Sequence, residues 1–130
     1  MTDKELLELA KRARENSYSP YSKFAVGAAL LAKSGKVYLG ANIENASFGA
    51  TNCAERTAIF SAIMAGEREF TAIAICGGKV GNDTELCLPC GICRQVLAEF
   101  CTPDLKVILE DKGTIKEFKL SELLPHTFKL

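Results

Sequence analysis

Two short cysteine-containing segments, far apart in the chain, constrain the fold more than any other feature of the sequence. The first is N-C-A-E-R at residues 52–56, and the second is C-L-P-C-G-I-C at residues 87–93. Each leads into a stretch whose apolar residues have helical spacing. Because thiolates are zinc ligands in tetrahedral sites, we expect the chain to bring the two segments together, with Cys53, Cys90 and Cys93 around one ion.

The cysteine spacing leaves two other interpretations open. A C-x-x-C pair in a reducing compartment can be redox-active, although that assigns no role to the first segment. Cys87 can instead add a fourth thiolate and close a purely structural zinc site. Backbone reach favours three ligands, since Cys90 and Cys93 lie one helical turn apart on one face. Pro89 favours extended geometry in the residue before it, which carries Cys87 away from the ion.

Glu55 has two possible roles. Asn52 followed three residues later by a glutamate fits a capping box, in which the Glu55 carboxylate would accept a hydrogen bond from the Asn52 backbone amide. The alternative is an acid/base group beside a metal-bound Cys53. Three thiolates leave zinc with a net negative charge, so Arg56 is expected to donate to the thiolates and withdraw that charge.

The remaining pattern predicts alternating helices and strands. The predicted elements are a helix over 3–16 with a Thr2–Glu5 capping box, strands over 26–32 and 37–41, a helix over 53–65, a buried strand over 71–76, a polar loop over 77–85, a helix from 90 to 100, strands over 105–110 and 114–119, and a short turn capped by Ser121. This order predicts an α/β fold, a three-layer α-β-α sandwich with one mixed sheet.

Chain length, charge and hydropathy predict one domain and argue against nucleic-acid and membrane partners. The 130 residues are expected to form a single domain over 1–130. Sixteen basic and sixteen acidic residues cancel, which argues against a nucleic-acid partner. No apolar run reaches the length of a membrane span, and the amino-terminal residues lack the pattern of a signal peptide, so we expect a cytoplasmic protein with no membrane partner.

With these motifs placed, the sequence resembles the zinc-dependent cytidine deaminase family. In such deaminases a glutamate follows the first ligand by two residues, and the second element is P-C-x-x-C. Here Cys53 takes the position of the more usual histidine, as in the small homotetrameric members with three cysteine ligands. The likeness covers nearly the whole chain: P-Y-S-K-F-A-V-G-A-A-L, N-I-E-N, N-C-A-E-R-T-A, P-C-G-I-C-R-Q and L-L-P-H-T-F, in that order.

The resemblance implies a function and a set of roles. The function is hydrolytic deamination of cytidine and deoxycytidine to uridine and deoxyuridine with release of ammonia, as in pyrimidine salvage, by a homotetramer acting on free nucleosides. Zn²⁺ is the implied cofactor, held by the three cysteines, and Glu55 is the implied proton carrier. The residues implied to bind substrate are Phe24, Asn42, Glu44, Ala54 and, from a neighbouring subunit, Phe128.

Two rival functions follow from the same residues. One is deamination of a related aminopyrimidine nucleoside such as blasticidin S by the same zinc chemistry. The other is a non-catalytic zinc module, in which Cys87 completes the site and Glu55 is only a helix cap.

Overall fold

A computed structural model describes residues 1–130. Its elements are α1 (Asp3–Arg14), β1 (Phe24–Ala32), β2 (Val37–Ala41), a 3-10 turn (Phe48–Ala50), α2 (Ala54–Met64), β3 (Phe70–Lys79), α3 (Gly91–Phe100), β4 (Lys106–Asp111), β5 (Thr114–Lys119) and α4 (Leu120–Leu123). The five strands form one sheet in the order β2-β1-β3-β4-β5. Only β3 and β4 run parallel, so the sheet is mixed as predicted.

The central strand β3 shows why the fold has three layers. Alternate side chains of a strand point to opposite faces of the sheet. Ile73 and Ile75 pack in one apolar cluster with α2 and α3, whereas Ala72, Ala74 and Cys76 pack in a second cluster with α1. Helices therefore cover both faces, and the predicted α-β-α sandwich is confirmed.

Sequence signals placed most element boundaries within a few residues. The Thr2–Glu5 capping box is present, and Gly35 and Gly66 adopt positive φ at the turn and helix end predicted for them. Two predictions were wrong. Strand β3 continues to Lys79 because Gly77 and Gly78 still pair with β1, although their polar surroundings predicted a loop. Ser121 lies inside α4, and Lys119 is the residue that precedes the helix.

Gly40 on β2 sets the position of α2, the helix that follows the first cysteine segment. A Cβ at this residue would lie 2.3 Å from the Ala54 carbonyl oxygen and 2.5 Å from the Ala58 nitrogen. The backbones of strand and helix therefore touch, and only glycine permits this approach. The start of α2 is fixed against the sheet by this contact.

We predict that Gly40→Ala displaces α2 and destabilises the protein by about 1–3 kcal/mol, the usual cost of overpacking. Urea unfolding measures the loss. Gly49→Ala is the matched control, since a Cβ there has no neighbouring atom within 4 Å. Equal stability of the two variants would contradict the close contact.

None of the helices combines the length and apolar character needed to span a membrane.

Candidate metal centre and active site

Three thiols converge where α2 and α3 begin. Cys53 and Cys90 are the residues that cap the two helices, and Cys93 lies in the first turn of α3. Their sulfur atoms all lie within 4.8 Å of one another, and the Cys53 and Cys90 Sγ atoms are 3.8 Å apart. The two segments singled out in the sequence therefore meet as predicted.

The geometry of the thiols fits zinc. Zinc–thiolate bonds of about 2.3 Å in a tetrahedral site place the sulfurs about 3.8 Å apart. Both helix starts also carry partial positive charge, which favours thiolate over thiol. A hydrogen bond from the Cys93 thiol, together with the nearby Arg56, lowers the pKa of Cys53 to about 5. The same pairing raises the pKa of Cys93.

Cys87 stands apart from the three-thiol cluster. A Cβ on Gly77 would lie 2.7 Å from its sulfur, which places Cys87 against the end of β3. Burial raises the pKa of the Cys87 thiol to about 12, so it stays protonated near neutral pH. The arrangement leaves three protein ligands, which is the number found in catalytic rather than closed structural zinc sites.

Arg56 is the cation closest to the sulfur cluster. Its Nη2 donates to Cys53 Sγ across 3.0 Å, as the charge argument predicted. The Nε atom of the same guanidinium is buried and has no hydrogen-bond partner. An arginine held in this way lowers the electron density on a thiolate that it contacts.

We predict that Arg56→Gln reduces catalytic turnover or zinc affinity by about 10–100-fold, because the thiolates lose the cation that offsets their charge. Turnover and zinc content should be measured on the same preparations. Arg68→Gln is the control, since Arg68 donates only to the carbonyls of Ile63 and Glu67. An Arg56 variant with both properties unchanged would contradict this role.

Glu55 lies in the first turn of α2, two residues after Cys53, and is only 4% exposed. Burial raises the pKa of its carboxyl to about 7. The capping-box alternative is wrong, because the Asn52 backbone amide donates to the Ile43 carbonyl and the Asn52 side chain to Thr57. Glu55 is thus a buried carboxyl beside the thiols, able to accept and release a proton near neutrality.

The residues that the resemblance implied for substrate lie in different parts of the structure. Ala54 is fully buried as the first residue of α2. Phe24 begins β1, and one ring carbon lies 3.0 Å from the Cβ position of Gly77. Phe128 is 66% exposed in the carboxyl-terminal tail, where its carbonyl accepts a hydrogen bond from Gln95. An exposed aromatic side chain of this kind is free to contact another chain.

Asn42 and Glu44 lie on the extended segment after β2. Ile43, between them, forms two 2.9 Å backbone hydrogen bonds with Asn52, the residue before Cys53. The Asn42 side chain contacts the backbone of β1, and Glu44 accepts from the backbone amides of Tyr21 and Ser22 at 3.0 Å. The side chains of Asn42 and Glu44 therefore bind the backbone around the start of β1, and the Ile43–Asn52 pairing joins their segment to the residue before Cys53.

Sequence reasoning missed the polar residues that organise this region. Ser17 and Ser22 lie between α1 and β1, and their hydroxyls donate to Asn42 and Glu44 respectively. Arg14, at the end of α1, donates to the carbonyls of Ala25, Gly78, Lys79 and Asn82. Segment composition carried no signal for these contacts, because each partner is distant in sequence.

A large open groove of about 1100 Å³ lies elsewhere, between α1 and the segment after β3. It contains none of the residues predicted for catalysis or substrate. Glu110 in this groove is already bound, because it accepts from Lys11 at 2.9 Å and from the Thr84 hydroxyl at 2.8 Å.

Comparison with known proteins agrees with this geometry. The pattern of the family described as "Cytidine and deoxycytidylate deaminase zinc-binding region" matches residues 1–109. The chain is 54% identical over 124 residues to the cytidine deaminase of Halalkalibacterium halodurans, covering 95% of this chain and 91% of the relative. The crystal structure of cytidine deaminase from Burkholderia pseudomallei superposes with a TM-score of 0.90 at 49% identity, covering 98% of this chain and 100% of the other.

A blasticidin-S deaminase from Bacillus cereus is also similar, but more distantly. It is 32% identical over 127 residues, covering 95% of this chain and 89% of the relative.

Proposed function

This chain belongs to the cytidine and deoxycytidylate deaminase family, and we propose that it deaminates cytidine and deoxycytidine with Glu55 as the proton carrier. The reaction is hydrolytic and zinc-dependent, and it yields uridine or deoxyuridine with release of ammonia. The observation that carries the proposal is a buried carboxyl two residues from one of three clustered thiols. Blasticidin S is the less favoured substrate, since the relative named for it is the more distant one.

The zinc site and Glu55 have separate roles in the proposed reaction: the first activates water and the second transfers protons. Cys53, Cys90 and Cys93 hold the zinc, which when bound supplies the Lewis acidity that activates water. The Glu55 carboxylate takes the proton released by the attacking water and delivers it to N3 of the ring as oxygen adds at C4. The same carboxylate then takes the remaining proton from the C4 hydroxyl and passes it to the amine, so that the C4–N bond breaks, ammonia leaves and the C4 carbonyl forms. A carboxyl pKa of about 7 suits both the acceptance and the donation.

The protein environment supports the use of one carboxyl for all transfers. Burial excludes bulk water from Glu55, so the proton stays between the carboxyl and the substrate. The backbone at Ala54 and around Cys90 is placed to bind the amide-like edge of the base, and Phe24 offers an aromatic face. Asn42 and Glu44 bind hydroxyls of the sugar.

We predict that Glu55→Ala retains zinc but loses nearly all cytidine turnover, because the protons then have no carrier. Zinc content by atomic emission and loss of ultraviolet absorbance on cytidine measure the two properties. Cys87→Ser is the paired variant and should retain both, since its sulfur lies outside the cluster. Full turnover in the Glu55 variant, or loss of zinc in the Cys87 variant, would instead favour a structural zinc module.

The proposed assembly is a homotetramer in which Phe128 reaches a neighbouring active site. The tail aromatic is exposed in the isolated chain, as is Phe48 on the turn that precedes α2. The single domain over 1–130 is the proposed subunit. All six cysteines are free, which agrees with the proposed reducing, cytoplasmic location. The proposed role is nucleoside salvage.

Co-expression of Glu55→Ala and Phe128→Ala chains tests this assembly. If Phe128 acts in a neighbouring subunit, mixed tetramers contain sites with both intact groups. Activity per Glu55-bearing chain should then exceed that of Phe128→Ala alone, and light scattering should give about four times 14.1 kDa. Activity per Glu55-bearing chain equal to that of Phe128→Ala alone would contradict action between subunits.

A further inference from the structure

The backbone of β1 holds the Asn42 side chain in one orientation. Its Nδ2 donates to the Phe24 carbonyl at 2.8 Å, and its Oδ1 accepts from the Val26 amide at 2.9 Å. In the flipped orientation, the Asn42 NH2 group would face the Val26 N–H and the Asn42 oxygen would face the Phe24 carbonyl oxygen. Only the observed orientation of the amide therefore makes both hydrogen bonds. A primary amide has two N–H donors and two acceptor lone pairs. One N–H and one lone pair therefore remain after these contacts.

The Ser17 hydroxyl occupies the remaining lone pair. Its Oγ lies 3.3 Å from the Asn42 carbonyl oxygen and 3.3 Å from Ser19 Oγ, and closer still to Asn42 Oδ1. A hydroxyl has a single proton to donate, and the nearest acceptor is Oδ1. With its acceptor capacity filled, the Asn42 side chain can offer a substrate only one N–H donor.

Glu44 provides the opposite polarity. Its Oε1 accepts from the backbone amides of Tyr21 and Ser22, and its Oε2 accepts from the Ser22 hydroxyl. The hydrogen bond from that hydroxyl lowers the pKa of the Glu44 carboxyl, so the group is ionised and cannot donate. Acceptor capacity remains on Oε2.

Asn42 and Glu44, two residues apart on the segment after β2, thus present one fixed donor and one fixed acceptor. A hydroxyl group matches this pair, because it accepts one hydrogen bond and donates another. A carbonyl cannot donate to Glu44, and an ammonium group cannot accept from Asn42. The pair is therefore complementary to a hydroxyl group, such as one on the sugar of a nucleoside.

We propose that Ser17 is a positioning residue that makes Asn42 a pure donor toward the sugar hydroxyl that Asn42 is proposed to bind. The proposal rests on the function proposed above, since it concerns the same substrate. Ser17 acts through Asn42 and does not touch the reacting atoms. Its removal restores a free lone pair to Asn42 Oδ1 and loosens the orientation of the amide.

The test measures the KM and kcat of Ser17→Ala with cytidine and with 2′,3′-dideoxycytidine, which lacks the 2′- and 3′-hydroxyls of the sugar. The KM for cytidine should rise about three- to tenfold, which corresponds to one ordinary hydrogen bond, with kcat within about twofold. The KM of dideoxycytidine, or its inhibition constant against cytidine, should stay unchanged. Ser17→Thr keeps the hydroxyl and should restore the KM for cytidine.

Ser34→Ala is the matched control, because its hydroxyl also donates to an acidic side chain, Glu67, at 2.7 Å in the β1–β2 turn. An unchanged cytidine KM in Ser17→Ala, or an equal loss for both nucleosides, would overturn the role of Ser17 while leaving the deaminase function standing. Absence of cytidine turnover in the unsubstituted protein would overturn the proposed function itself.

Discussion

The clustering of three thiols is the constraint on which the rest of the site depends. Sulfur atoms within 4.8 Å of one another cannot all ionise without a nearby positive charge. The protein supplies part of that charge through two helix starts and Arg56, and zinc supplies the rest. The fold therefore brings two helix N-termini together on one face of the sheet, and the contact at Gly40 fixes one of them in place.

Burial of Glu55 follows from the same arrangement. The residue occupies the first turn of α2, where the helix packs against β2. It is close enough to Cys53 for the thiolate charge to raise the pKa of the carboxyl. Desolvation contributes most to its raised pKa, and the Cys53 charge adds to it. A carboxyl that would be a simple anion on the surface becomes a group that exchanges protons near neutral pH. The start of α2 thus supplies both one thiol of the cluster and the buried carboxyl beside it.

Much of this was predictable from the sequence because the signals are local. Capping residues, helical spacing and the glycines of turns located the elements, and the cysteine spacing predicted which three thiols lie together. The contacts that could not be predicted are those between distant polar residues. Ser17 with Asn42, Ser22 with Glu44, and Arg14 with four backbone carbonyls depend on loop conformations that composition does not encode. The end of β3 was missed for a related reason, since pairing with β1 overrides the weak strand propensity of glycine.

Glu55 shows how distant residues decide between two local interpretations. Its spacing from Asn52 fits a capping box, and only the second cysteine segment favours an acid/base role. The structure shows that Glu55 does not form this capping box, because the Asn52 amide donates to the Ile43 carbonyl instead. The same pairing joins the segment that contains Asn42 and Glu44 to the residue before Cys53, so one backbone bridge both occupies the Asn52 amide and connects these two segments.

The most direct test of the account is cytidine turnover measured together with zinc content, before and after removal of the metal by a chelator. The account predicts one zinc per chain, conversion of cytidine to uridine, loss of turnover with the metal, and recovery when zinc is returned. Zinc-loaded, folded protein that leaves cytidine unchanged, or turnover that survives complete removal of the metal, would contradict it.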